Sequence, residues 1–412
     1  MAASSSTALQ SALAPKAYSR LERFIRRWQY AGFALLRTLW PNFQFGKWGA
    51  ITRFADVQEA LSRPDVFQVT YGEMMDPSVG PFMLGRDNTI FNQRDKGIMR
   101  ALLSPEDLPQ VRTHVRAILD GILDKHRSAG RLEIVENVTR QCPAMFNQSY
   151  FGFSDASLEQ IKAWSLGTQW DMFHNVGRNE EIHQNNVRAG KEMHAMLSAS
   201  LTKKRAALAG GDKPRDVLDR LLQWHLPPET GFDDARILTN IMGLLVGSIE
   251  TTSQAAAQIV NEFLRRPRWL AKAQECARGE DNELWLRYCW EALRFNPITP
   301  GMFRICAQDY TIARGTLRRR TFRKGTLVFI LTASAMRDGR QLSWPTLFRV
   351  SRPDHHYMHM GYGLHTCLGD QISKVQVPEI VRAILLLPNL HRLSPLEYGS
   401  GDFPCRLEVG FG

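Results

Sequence analysis

Cys367 lies in the run Met360-Gly361-Tyr362-Gly363-Leu364-His365-Thr366-Cys367-Leu368-Gly369, a loop that leads straight into a helical pattern over 370–387. A helix start carries unsatisfied N–H groups and a partial positive charge, so a cysteine there is favoured as a thiolate. Gly361 and Gly363 let the backbone turn tightly and approach something flat. A loop thiolate backed by amide donors suits the axial position of a haem iron. The plainer reading is a buried cysteine ahead of a helix.

Three further groups carry chemistry. Gly247-Ser248-Ile249-Glu250-Thr251-Thr252 puts a carboxylate and hydroxyls inside an apolar helical pattern, where burying them is costly without a task. A threonine there can bond back to the carbonyl four residues earlier and loosen the helix. Glu291 and Arg294 share a helix face at i and i+3, a spacing common on surface helices. The cations His365, Arg304, Lys96 and Arg100 stand where the carboxylates of a haem could be met. A rival reading groups His355, His356, His359, His365 and Cys367 as a zinc site, but the spacing fits no common module and there is no Cys-x-x-Cys pair. No Gly-x-Ser-x-Gly pattern supports a hydrolase.

Taken together and in order, these places resemble the cytochrome P450 family, over residues 45–412. The resemblance implies a soluble, bacterial-type haem-thiolate monooxygenase with heme b, its iron held by Cys367 in a loop shaped by Gly361, Gly363 and Gly369. It implies that Glu250 and Thr251 organise protons for dioxygen activation. It implies a structural triad of Glu291, Arg294 and Arg352, and cofactor contacts from His365, Arg304, Arg100 and Lys96. By position, Leu244, Ser248, Ile298, Thr299 and Phe173 would line a pocket for a hydrophobic small-molecule substrate. Electrons would come from a separate ferredoxin or flavodoxin-type donor, an acidic partner for a basic chain. The chain departs from the family at Ser248 (usually a second glycine), Lys96 (often histidine) and Met360 (usually phenylalanine). Two alternatives share the haem: a hydroperoxide isomerase or peroxygenase, and a non-catalytic haem-binding protein.

The elements that must position these residues are mostly helical. Apolar residues recur at three- and four-residue spacing over 107–127, 132–150, 157–175, 181–208, 215–224, 269–277 and 283–295. The longest pattern, 233–264, is apolar nearly all round between Ile241 and Val246 and should cross the interior. Strands are expected at 48–54, 66–70, 304–313, 326–332 and within 390–411, and a loop at 71–92. The fold class is therefore mainly α with a small β portion: a flexible tail over 1–18 and a single domain over 19–412, with a long central helix over the haem.

The 412 residues carry a formal net charge of +11, with 44% hydrophobic and 23% charged residues, as in a globular protein. The six cysteines lack framework spacing, which favours a reducing, cytoplasmic setting. No basic run interleaved with aromatics suggests nucleic acid. A spanning helix needs about 20 apolar residues, and the stretch Tyr30–Trp40 is shorter and contains Arg37. With the basic run Arg20–Arg27 ahead of it, this segment suits peripheral membrane contact or, the weightier reading, packing on the body.

Overall fold

The computed structural model describes Leu9, residues 12–175 and residues 177–412; residues 1–8, 10 and 11 of the expected tail lie outside the described residues. The helices are α1 (Arg20–Leu39), α2 (Phe54–Leu61), α3 (Lys96–Leu102), α4 (Leu108–Asp124), α5 (Gln141–Phe146), α6 (Leu158–Phe173) and α7 (Glu180–Ala209). They continue as α8 (Val217–Gln223), α9 (Asp234–Ser248), α10 (Glu250–Leu264), α11 (Pro267–Arg278), α12 (Asn282–Phe295) and α13 (Asp370–Leu385). Local capping fixes many starts. Ser157 accepts from the Gln160 N–H while Gln160 accepts from the Ser157 N–H, and Asn179, Asp216, Asp233 and Asp281 cap α7, α8, α9 and α12.

Twelve short strands complete the described chain: β1 (Asn42–Phe45), β2 (Trp48–Ile51), β3 (Phe67–Val69), β4 (Arg131–Glu133), β5 (Met302–Cys306), β6 (Tyr310–Ile312), β7 (Arg320–Phe322), β8 (Leu327–Ile330), β9 (His391–Arg392), β10 (Glu397–Tyr398), β11 (Pro404–Arg406) and β12 (Glu408–Gly410). The main sheet runs β1-β2-β8-β5-β3, parallel only between β2 and β8. One apolar core joins the helices, and a smaller one fills the space between α2 and the main sheet. Alternation along β8 shows the logic: Val328 and Ile330 are buried while Leu327 and Phe329 are only partly so.

Four expectations are corrected. The central helix is broken at Ile249 (φ −93°, ψ −63°) into α9 and α10. Its hydroxyls compete for backbone carbonyls: Thr251 Oγ1 donates to Gly247 O at 2.5 Å, and Ser248 Oγ reaches Leu245 O. The stretch 132–150 is not one helix, because it pairs as β4 and then passes through π-turns at Val135–Arg140 and Asn147–Phe151 on either side of α5. The 71–92 loop contains a helical turn at Gly72–Met75 and a 3₁₀ turn at Met83–Gly85. Within the expected tail, Ala12 is buried and Leu9 nearly so, in a cluster with Leu166, Trp170, Ile182 and Phe403.

Candidate functional site

The cysteine loop is closed by its own backbone. The Cys367 N–H donates to Met360 O at 2.8 Å, the Gly361 N–H to Met358 O and the Thr366 N–H to Gly363 O. Gly361 and Gly363 have φ of +74° and +68°, a region that side chains strain to enter. A Cβ at Gly363 would also sit 2.6 Å from Leu61 O, so this glycine lets the loop lie against the end of α2. Gly369 is different: its φ is ordinary and a Cβ there would meet only the Cys367 sulfur and Ser373 Oγ, each at 3.9 Å. Its contribution is an N–H aimed at that sulfur. The surrounding protein desolvates Cys367 and pushes its thiol up, against the pull of the Gly369 N–H, Lys96 and Arg100. Amide donors alone therefore do not outweigh burial, and a cation on the sulfur is what would stabilise the thiolate.

The flanking cations divide into two kinds. Arg304 on β5 is buried, and its guanidinium donates to Phe303 O at 2.9 Å, reaches Met302 Sδ at 3.3 Å and lies against Tyr71. Among the described residues no carboxylate pairs with it. His365 Nε2 lies 2.7 Å from Asp87 Oδ1, and its buried Nδ1 has no partner among the described residues. Burial pushes this imidazole below its usual pKa range although Asp87 opposes it. The buried guanidinium without a carboxylate fits a haem propionate directly, and His365 would donate from Nδ1 to the second as an imidazolium, the form that a propionate charge beside it would favour against burial.

Lys96 is committed elsewhere. Its Nζ donates to Leu364 O at 2.5 Å and Thr366 O at 2.9 Å, two carbonyls of the cysteine loop. Burial, helped by Arg100, lowers its pKa to about 8. In this structure Lys96 clasps the loop, because the loop's carbonyls face the start of α3. Arg100, one turn along, is exposed and makes no hydrogen bond or ion pair among the described residues, although its charge acts on Cys367 and Lys96.

At the break in the central helix, a Cβ added to Gly247 would meet nothing within 4 Å, so the backbone there is open to a flat group. Ser248 Oγ donates to Asn147 Oδ1 at 2.9 Å, which ties the helix to the π-turn at Asn147–Phe151. Glu250 is buried and held by Arg140, with Nη2 2.8 Å from Oε2 and Nε 3.1 Å from Oε1. Arg140 also donates to Glu136 at 2.9 Å, and Glu136 accepts from Lys162 at 2.7 Å. These ion pairs run outward from Glu250 to the half-exposed Glu136.

Glu291, Arg294 and Arg352 form one buried cluster. Arg294 Nε and Nη2 each donate to the Glu291 carboxylate at 2.8 Å, a bidentate pair, and Arg352 Nε reaches Oε1 at 3.2 Å. The guanidiniums also hold the carbonyls of Met336, Ser343, Trp344, Pro345 and Leu347, so the cluster pins the irregular segment ahead of the cysteine loop.

The expected pocket residues separate. Leu244 is buried on α9, and Ile298 is tied to α10 through Gln254 Nε2, 3.0 Å from Ile298 O. Thr299 Oγ1 is spent on Gly301 O at 2.6 Å. Phe173 is not enclosed: it ends α6 at 44% exposure, its ring 5.0 Å from Tyr71, because the helix leaves the core there. The zinc reading is also corrected. Among the described residues no three His, Cys, Asp or Glu are placed for a metal, since His359 turns to Trp290 O and His365 to Asp87. Sequence reasoning missed Arg140, Asp87, Asn147 and Tyr357, whose hydroxyl donates to Glu291 at 3.1 Å. Each meets its partner over 66 to 278 positions of chain, which no local spacing reveals.

A family model described as Cytochrome P450 matches residues 147–387. Cytochrome P450 107B1 of Saccharopolyspora erythraea is 24% identical over 353 residues, covering 81% of this chain and 80% of that protein. Cytochrome P450(BM-1) of Priestia megaterium is 24% identical over 298 residues, covering 71% and 68%. Among solved structures, CalO2 superposes with a TM-score of 0.80 at 20% identity, covering 96% of this chain and 99% of that one. P450BioI, solved in complex with hexadec-9Z-enoic acid ligated acyl carrier protein, gives 0.80 at 18% identity, covering 94% and 99%. At these identities the structural likeness shows the shared fold.

Proposed function

Because this chain belongs to the cytochrome P450 family, whose members are monooxygenases that bind haem through a cysteine thiolate, we propose that Cys367 is that ligand and that the substrate is a hydrophobic small molecule. The observation that carries the assignment is that the loop bearing the Cys367 sulfur also bears the His365 Nδ1 that has no partner among the described residues, while the buried Arg304 of β5, without a carboxylate, is near enough for its charge to act on that imidazole. When bound, the haem supplies the redox chemistry that activates dioxygen and delivers one oxygen atom to the substrate.

The chain's own residues do the rest. Cys367 would hold the iron and donate electron density to it. His365 and Arg304 would take the propionates, while Lys96 keeps the loop carbonyls in place. Gly247 leaves room beside the opened helix, and Thr251 presents its hydroxyl at that opening. Glu250 would exchange protons at its carboxylate, which Arg140 holds in place, and the ion pairs of Arg140 with Glu136 and of Glu136 with Lys162 anchor that arrangement toward the surface. Glu291, Arg294 and Arg352 hold the segment that presents the loop. The main core, which runs from Met75 to Phe411, supports reading residues 19–412 as one domain. A net charge of +11 supports an acidic ferredoxin or flavodoxin-type donor.

A panel of apolar compounds tests this reading. A binder should shift the haem spin state and be converted when a reduced ferredoxin and dioxygen are supplied. Conversion by peroxide alone, with none from reductant and dioxygen, would contradict the proposed use of dioxygen.

A further inference from the structure

Helix α1 has two apolar faces. Tyr30, Phe33 and Arg37 face the body: the Arg337 guanidinium lies 3.6 Å from the centre of the Tyr30 ring, and Arg37 Nη1 donates to Ser334 O and Oγ. At 3.6 residues per turn, Leu21, Phe24, Trp28, Leu35 and Leu39 fall on the opposite face. These five are between 52% and 66% exposed. The stripe continues past the helix end through Trp40 to Phe45 and Trp48 at the β1–β2 turn, with Phe45 83% exposed. Arg320 Nη2 donates to Gln44 O at 2.9 Å, which brings the β6–β7 hairpin alongside with a fully exposed Leu317 at its tip.

The same surface is basic. Arg20, exposed at the start of α1, borders the apolar row. Arg319, Arg320 and Arg323 line a hollow beside Gly46, and Lys47 and Lys324 are exposed next to it. Asp309, the acid at this edge, is paired with Arg323.

We propose that α1, the β1–β2 turn and the β6–β7 hairpin together form a docking surface for a membrane containing anionic phospholipid. A long row of exposed leucine, phenylalanine and tryptophan flanked by arginine matches a helix lying in the interface, with its apolar face among acyl chains and its cations at headgroup phosphates. The helix cannot cross: among the described residues none is long and apolar enough to span a bilayer. A second copy of the chain is a poor occupant, because a two-fold contact through this face would bring the arginines of both copies together. An acidic protein would satisfy the cations but leave the apolar row without a role.

Flotation of the haem-loaded full chain tests the proposal, using phosphatidylcholine vesicles with and without phosphatidylglycerol. The expected result is association with the anionic vesicles, roughly tenfold weaker with phosphatidylcholine alone and weakened by salt. The double variant Phe24→Ser/Leu35→Ser should lose about tenfold in vesicle binding with its carbon monoxide spectrum unchanged. If that variant does not take up haem, Phe45→Ser/Leu317→Ser makes the same test from independent elements. Three results would overturn the proposal: protein that stays in solution with both vesicles, binding that salt abolishes while the apolar substitutions change nothing, or a dimer that these substitutions dissociate in a protein that ignores vesicles.

Discussion

Arg140 and Glu250 face each other as a fully buried ion pair, Nη2 2.8 Å from Oε2, with one partner on a π-turn and the other on the first turn of α10. Removing either side has a different consequence. Arg140→Ala leaves a buried carboxylate without a partner and should cost roughly 3–5 kcal/mol, read as a lower urea midpoint. Glu250→Gln keeps the volume and most of the hydrogen bonding. It should take up haem normally but turn over about 100-fold more slowly, with a larger solvent isotope effect. Normal turnover in Glu250→Gln would remove the carboxylate from the proton path.

Lys96 should matter to the cysteine loop more than to haem uptake. Lys96→Met deletes two charge-assisted bonds to Leu364 O and Thr366 O, each worth about 1.5–3 kcal/mol. The variant is expected to bind haem but to lose its thiolate spectrum at a clearly lower urea concentration than the parent. Equal urea resistance would mean that the clasp contributes nothing.

The bidentate pair between Arg294 and Glu291 should tolerate no point charge in its place. Lysine cannot reproduce the guanidinium fork that also holds Pro345 O and Leu347 O. Arg294→Lys should lower stability by about 3 kcal/mol or more and leave much of the protein without haem. Haem content equal to the parent would contradict the structural role given to the cluster.

Two histidines tie stability to pH. Burial lowers His174 and His359 from 6.5 to about 4. The fold holds both neutral, so their contribution is complete above pH 6.5 and is lost as pH falls through about 4, where the unfolded chain has taken up the protons. At about 1.4 kcal/mol per pH unit, each can remove up to about 3 kcal/mol. Urea midpoints measured from pH 7 downward should fall in that window. The fall should be shallower in His174→Asn/His359→Asn.

The parts of this account readable from sequence are those set by local spacing. Helix starts carry their capping residues, as at Ser157 and Asp233, and the turns that join β6, β7 and β8 carry their glycines, Gly315 and Gly325. Glu291 and Arg294 are neighbours on one helix face, so their meeting needs only α12 to form. The hydroxyls of Ser248, Thr251 and Thr252 signal a loosened helix near Ile249, but whether that loosening becomes a full break depends on which carbonyls Thr251 and Ser248 take in the folded chain. Lys96 was assigned by resemblance to a propionate, whereas its partner is a backbone 268 residues away. Carbonyls carry no sequence signature, so such contacts emerge only with the fold.

The central claim is that Cys367 ligates the iron of a bound haem. It is tested most directly by the absorption spectrum of the reduced, carbon monoxide-bound protein and of Cys367→Ser. The account predicts a strongly red-shifted main band in the parent and its loss in the variant. A parent that takes up no haem, or a variant that keeps the shifted band, would contradict it.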